Sequence, residues 1–237
     1  RHMAPKGASE AEQKAAEQNA RAFRGKYYGL VTLIDQALGI MLDALEESGL
    51  ADNTVVMFGS DHGEMAGDHG MMEKRAFYEE SAKVPWLMRI PWLGQEHRMI
   101  PGNIGHVDLV PTLLDLMNQP IPNHLQGTSR VPVFEGNETL EDNDAFIQWN
   151  GLGDRNLGAP EMNLIGSIPW RSIVTADRWK LNLCAGDQCE LFDLNNDPHE
   201  LVNEFDNPDH RDRIRKMAAK IRLWQHETGD EAPLPSV

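Results

Sequence analysis

The 237-residue chain carries 37 acidic against 22 basic residues, a formal net charge of −15, which argues against a nucleic-acid partner because phosphate binding needs a basic face. It is long enough for one large domain, or one domain with a smaller appendage. No apolar run is read as approaching the roughly 18–20 residues of a membrane span, so no membrane partner is expected, and any attraction for sulfate or phosphate must come from local cations or a metal.

Arg1-His2-Met3 reads as an expression remnant, and residues 1–8 are expected to be a disordered start. Ser9-Glu10-Ala11-Glu12 has the form of a capping box. Beyond it Phe23, Tyr27, Leu30, Ile34, Leu38, Met41 and Leu45 recur every three or four residues, which predicts one apolar face of a long helix ending near Gly49. Thr54 to about Ser60 predicts a buried strand, Met65–Glu80 a polar loop long enough to bind a ligand, and Val84–Pro91 a second strand bracketed by prolines.

Asp108 is expected to cap a helix carrying Leu109, Val110, Leu113, Leu114 and Leu116, with Pro111 tolerated in its first turn. Residues 119–143, rich in Pro, Gly and Asn, suggest a subdomain boundary. After it, Ala145–Asn150, Trp170–Thr175, Trp179–Leu183 and Cys189–Leu194 are strand-length runs, the last three spaced as antiparallel neighbours. Asp197-Pro198-His199-Glu200 predicts a capped short helix, and a last helix from Asn207-Pro208 should bury Ile214, Met217, Ile221 and Trp224. Cys184 and Cys189 are the only cysteines. If the segment between them is a hairpin loop they could face each other as a disulfide, and free thiols are the equal alternative.

The chemistry concentrates at Val55–Glu64, Asp68-His69-Gly70 and Lys74. A β-branched run ending in Asp61-His62-Gly63 puts a carboxylate and an imidazole at the carboxyl end of a strand, where open α/β sheets hold their ligands. That pair suits a divalent ion, and a lysine nearby suits an anion. Taken alone, the dipeptide is more often a cap beside a structural histidine.

Ser60–Met65 with Gly67–Gly70 and Lys74, thirteen residues after Asp61, resembles the second signature region of the sulfatase family, in the alkaline-phosphatase superfamily. Tyr27–Val56, Tyr78–Pro85, His106–Leu114, Gly127–Arg130, Arg178–Leu181 and Glu190–Glu200 follow the order of segments found in sulfatases, so the resemblance covers about residues 25–205. It implies an α/β fold: the C-terminal part of a sulfatase-like α/β sandwich at 9–130, and at 140–237 a small antiparallel-sheet subdomain with a C-terminal helix. It also implies that Asp61 and His62 ligate a divalent cation, usually Ca²⁺, and that Lys74 contacts the sulfate of a sulfate ester or sulfated glycan.

The resemblance further implies a formylglycine nucleophile, made in a Cys/Ser-X-Pro-X-Arg sequence near the N-terminus. Neither Cys184 nor Cys189 heads such a sequence. The expectation is a chain lacking that sequence, the amino-terminal Asp-Asp ligands and the first Lys-Arg-His region: a C-terminal portion inactive alone, holding Ca²⁺ weakly and exposing an apolar face open to self-association. A phosphonate or phosphate monoester hydrolase of the same superfamily, or a non-catalytic binding module, are the alternatives. His69 is expected to stabilise the loop rather than stand beside the site, His106 to be structural, and Arg75 and Lys83 to be surface charges. Trp149, Trp170 and Trp179 read as core rather than as a sugar-stacking platform.

Overall fold

The computed structural model describes residues 8–74, 76–94, 96–151 and 168–237; the start of the chain and Arg75 lie outside them. The chain divides into two compact units, Arg1–Glu96 and His97–Val237, whereas the sequence suggests a boundary within 119–143.

In the first unit, helix α1 runs Glu10–Glu47. Its capping box is complete: the Glu12 backbone N–H donates to Ser9 Oγ, and the Ser9 N–H donates to Glu12 Oε2 at 2.7 Å. Ser48 ends the helix and Gly49 turns left-handed at φ 72°, a conformation that costs glycine little. Of the apolar stripe, Leu30, Ile34 and Met41 are 54–69% exposed, so the open apolar face expected from the sequence is present. The helix corrects one expectation: it contains an 18-residue stretch apolar enough to span a membrane by length and composition, none of it buried.

Strand β1 (Val56–Gly59) pairs antiparallel with β2 (Trp86–Arg89), Val56 opposite Arg89 and Gly59 opposite Trp86. The strand was expected to be buried. Instead both strands alternate half-buried and exposed residues, with Met57 and Leu87 exposed, because among the described residues the sheet has only these two strands. Arg89 reaches Glu46 of α1 at 2.8 Å. After β1 the chain passes so close to helix α2 (Glu79–Ala82) that a Cβ on Gly63 would lie 1.9 Å from the Glu80 carbonyl oxygen, and the Gly63 N–H donates to the Ser81 carbonyl at 2.8 Å. Only glycine fits there.

In the second unit, α3 (Leu109–Leu116) holds Pro111 in its first turn. Asp108 precedes it but makes no side-chain cap, contrary to expectation. Its carboxylate is drawn away to the Thr128 N–H at 2.8 Å and to the Arg130 guanidinium at 2.7 Å, a charge-assisted pairing stronger than a neutral cap bond. Helix α4 (Val131–Phe134) follows. Asn103 Nδ2 donates to the carbonyls of Asn143, Val174 and Thr175, tying this region to the sheet.

That sheet is antiparallel in the order β3 (Ala145–Trp149), β4 (Trp170–Val174), β5 (Trp179–Cys184), β6 (Glu190–Asp193). Helix α5 (Arg211–Thr228) buries Ile214, Met217, Ala218 and Ile221 against Ile173, Leu181, Leu183, Cys189 and Leu191. Trp224 is half-buried and stacks on Phe146 with centroids 5.4 Å apart. Arg171, nearly fully buried, donates to Asp230, to the Trp149 and Trp170 carbonyls and to Asn150 Oδ1. On the other face Lys180 and Glu200, both 0% exposed, pair at 2.8 Å.

One expectation fails here, and one open alternative is decided. Asp197–Glu200 is a turn and not a helix: Glu200 adopts φ 51° and sends its carboxylate to the buried Lys180, so the backbone leaves the helical path. Nor do the two cysteines face each other. Continuing the register in which Asn182 opposes Glu190 puts Leu183 opposite Cys189. Cys184 therefore lies on the opposite face, and both thiols are free and buried.

Candidate active site

Asp61 and His62 follow β1, and Lys74 returns to them from the far side of the 65–73 loop. Lys74 Nζ lies 2.6 Å from His62 Nε2, and Asp61 Oδ2 lies 3.4 Å from the same nitrogen. The structure thus brings together all three residues singled out from the sequence. An ammonium can only donate, so His62 Nε2 accepts; His62 Nδ1, 2.7 Å from the Gly63 carbonyl, carries the proton and donates to it. The His62 backbone N–H, donated to Asp61 Oδ1 at 3.0 Å, holds the Asp61 carboxyl below the usual carboxylate range, and the charge of Lys74 adds to the effect.

A hard divalent cation takes roughly six to eight oxygen donors. Among the described residues no cluster of three or more His, Cys, Asp or Glu side chains could hold a metal, and the His62 Nε2 lone pair is engaged by Lys74. Asp61 and His62 are a partial donor set and do not form a cation site by themselves.

The loop is held by residues that the sequence reading assigned no role. Glu64 Oε1 accepts the Ala66 and Glu73 N–H groups, and Arg24 of α1 donates to the Ala66 carbonyl and Asp68. Arg24 had no local signal, since its partners lie more than forty residues away in sequence. His69 stacks on Tyr78 with centroids 3.7 Å apart and planes 3° from parallel, so it supports the loop through a ring contact where a hydrogen bond was expected. Lys83 is exposed and 3.8 Å from Glu79. His106 is exposed in the second unit. The three tryptophans make no common platform: Trp170 opposes Cys184, five residues along β5 from Trp179, which is roughly 17 Å and on the opposite face.

One feature of the sequence corrects the expectation of a missing nucleophile motif. Ser167-Ile168-Pro169-Trp170-Arg171 has the form Ser-X-Pro-X-Arg. It leads into β4, and its arginine is consumed by the buried contacts to Asp230 and Asn150, so it reads as a strand start; Ser167 itself lies outside the described residues.

A carboxylate, an imidazole and an ammonium are thus gathered at a strand end, an arrangement whose exposed cation suits an anionic group. Residues 67–227 match the family model N-sulphoglucosamine sulphohydrolase, C-terminal, and residues 2–119 match the Sulfatase model. The chain belongs to the sulfatase family and corresponds to its C-terminal portion. An arylsulfatase of Clostridium perfringens is 32% identical over 222 residues, covering 92% of this chain and 42% of the relative. A solved structure described as a complex with its substrate D-glucosamine-2-N,6-O-disulfate superposes with a TM-score of 0.74 at 26% identity, covering 86% of this chain and 40% of that one. The phosphonate monoester hydrolase of Agrobacterium radiobacter gives 0.73 at 29% identity, covering 88% and 42%. The chain thus spans about two fifths of the length of these relatives.

Proposed function

We propose that this chain supplies one side of an active site that hydrolyses sulfate esters, sulfated glycans among them, within a longer sulfatase. The observation that carries this is the return of Lys74 to 2.6 Å from His62 across a folded loop. Lys74 is exposed, and one of its three donors goes to His62. Its remaining donors suit the oxygens of a sulfuryl group, whose negative charge grows as the ester bond breaks. A fixed cation that costs no reorganisation at that moment lowers the barrier. Hydrogen-bonded to Gly63, the His62 ring holds its tautomer and orients Lys74. Asp61 would lend oxygen donors to a Ca²⁺-type ion, which polarises the substrate in such enzymes, and His62 would join it only by exchanging its Nε2 bond to Lys74 for the ion; the remaining donors, and the formylglycine nucleophile, are assigned to parts of the parent outside this chain.

In a full-length sulfatase carrying this segment, Lys74→Ala should lower turnover of an aryl sulfate by about 10²–10³-fold, the usual loss on removing one transition-state donor. Unchanged turnover would sink the role given to Lys74. The likeness to a phosphonate monoester hydrolase favours a second reading, cleavage of phosphonate or phosphate monoesters. Rates on matched sulfate, phosphate and phosphonate esters separate the two.

A further inference from the structure

Five residues between Met65 and Lys74 adopt left-handed backbone conformations: Ala66 (φ 46°), Gly67 (φ 97°), His69 (φ 51°), Gly70 (φ 73°) and Glu73 (φ 66°). Three of them are not glycine, and each such residue is held against its own preference by its surroundings. Local propensity therefore cannot account for a loop that ends with Lys74 in contact with His62.

A single carboxylate oxygen spans both ends of this loop. Glu64 Oε1 accepts the Ala66 N–H at 3.1 Å and the Glu73 N–H at 2.6 Å, the first and last of the strained residues. Beside it the Met65 N–H donates to the Glu73 carbonyl at 2.8 Å, and the Met65 side chain is fully buried. These three features form a closed neck, and Lys74 is the first residue beyond it. Arg24 grips the body of the loop, donating to the Ala66 carbonyl and to Asp68 Oδ1, each at 2.8 Å. Bonds from backbone N–H groups to an ionised carboxylate are about twice as strong as neutral ones, so Glu64 contributes most where the strain is concentrated.

We propose that Glu64 is the positioning residue of this active site: it closes the neck of the 65–73 loop and thereby sets Lys74 against His62. The proposal rests on the role of Lys74 given above, but its geometry is testable separately. A glutamine at position 64 keeps the carbonyl acceptor and the side-chain length, so it should hold the neck. An alanine opens it.

Side-chain NMR of the intact chain, with inorganic sulfate as the probe, tests this. The unaltered protein should show contacts between the Lys74 ε-methylene and the His62 ring, and sulfate should shift the Lys74 signals. Glu64→Ala should lose both effects while the amides of β3–β6 and α5 stay in place. Glu64→Gln should restore them, which general loss of structure would not allow. Arg24→Ala, which loosens the loop body but leaves the neck, should weaken the contact without abolishing it. A Lys74–His62 contact that survives Glu64→Ala overturns the proposal, as does its loss in Glu64→Gln. If Glu64→Ala removes the contact but sulfate never shifts Lys74 in the unaltered protein, the positioning role stands and the sulfate reading fails.

Discussion

The two units are built on opposite terms. In the second, strands β4 and β5 are buried on both faces, a helix seals one of them, and charges are enclosed there too: Arg171, which binds the partly exposed Asp230, and Lys180 against Glu200. In the first, the buried apolar residues are Ala20, Ala51, Met65 and Ile90, the sheet has two strands among the described residues, and the charged groups at the site face solvent. The proposed chemistry sits in the thinly packed unit, and the geometry of Asp61, His62 and Lys74 comes from hydrogen bonds to a strained loop instead of from a core. Stability and reactivity are thus separable here by mutation.

The largest effect should come from breaking the enclosed charges. Arg171→Ala strands the partly buried Asp230 carboxylate and the Trp149 and Trp170 carbonyls and should cost the second unit about 3 kcal/mol. Denaturant unfolding followed by tryptophan fluorescence measures it, and His62 and His69 ring signals should not move. A comparable disturbance at His62 would break the contrast between the units.

Acid should act on the same pair. Hydrogen bonding from Arg171 holds the Asp230 carboxyl below its ordinary value, with Gln225 assisting. A carboxyl depressed in the folded state contributes stability above its unfolded pKa and loses it as pH falls through the folded one. Stability of the second unit should therefore decline below about pH 4, and in Arg171→Ala this part of the decline should be reduced to what Gln225 sustains. Thermal unfolding measured across pH 2–6 tests the sign.

The smallest effect sharpens the contrast from the other side. Arg89 and Glu46 pair in the first unit with both side chains well exposed, and such pairs contribute about 0.2–1 kcal/mol. Arg89→Ala should stay in that range by hydrogen exchange of the β1 and β2 amides. A loss of several kcal/mol would mean that the first unit depends on this link far more than its exposure implies.

What was legible in the sequence follows from how local each cause is. The Ser9–Glu12 cap and the period of α1 act over a few residues and are found where they were read, and Asp61, His62 and Lys74, separated by one short loop, come together in space. The four strands after 144 matched closely because turns and β-branched runs specify them. Errors arose where a distant partner takes over a local group: Arg130 draws Asp108 from its helix, and Lys180 bends Glu200 out of one. Arg24 and Glu64 passed unnoticed for the same reason, because a loop's strain and its supports appear only once it is folded.

The opposite-facing cysteines have a consequence beyond the absence of a bridge. Burial pushes both thiols above their ordinary pKa, which suppresses the reactive thiolate. Each is then silent to an alkylating reagent while its own face of the β5–β6 hairpin stays covered, and becomes reactive when that face opens. Differential labelling of Cys184 and Cys189 makes them a pair of built-in clocks, one timing the release of α5 from the sheet and the other the uncovering of the face that holds Lys180.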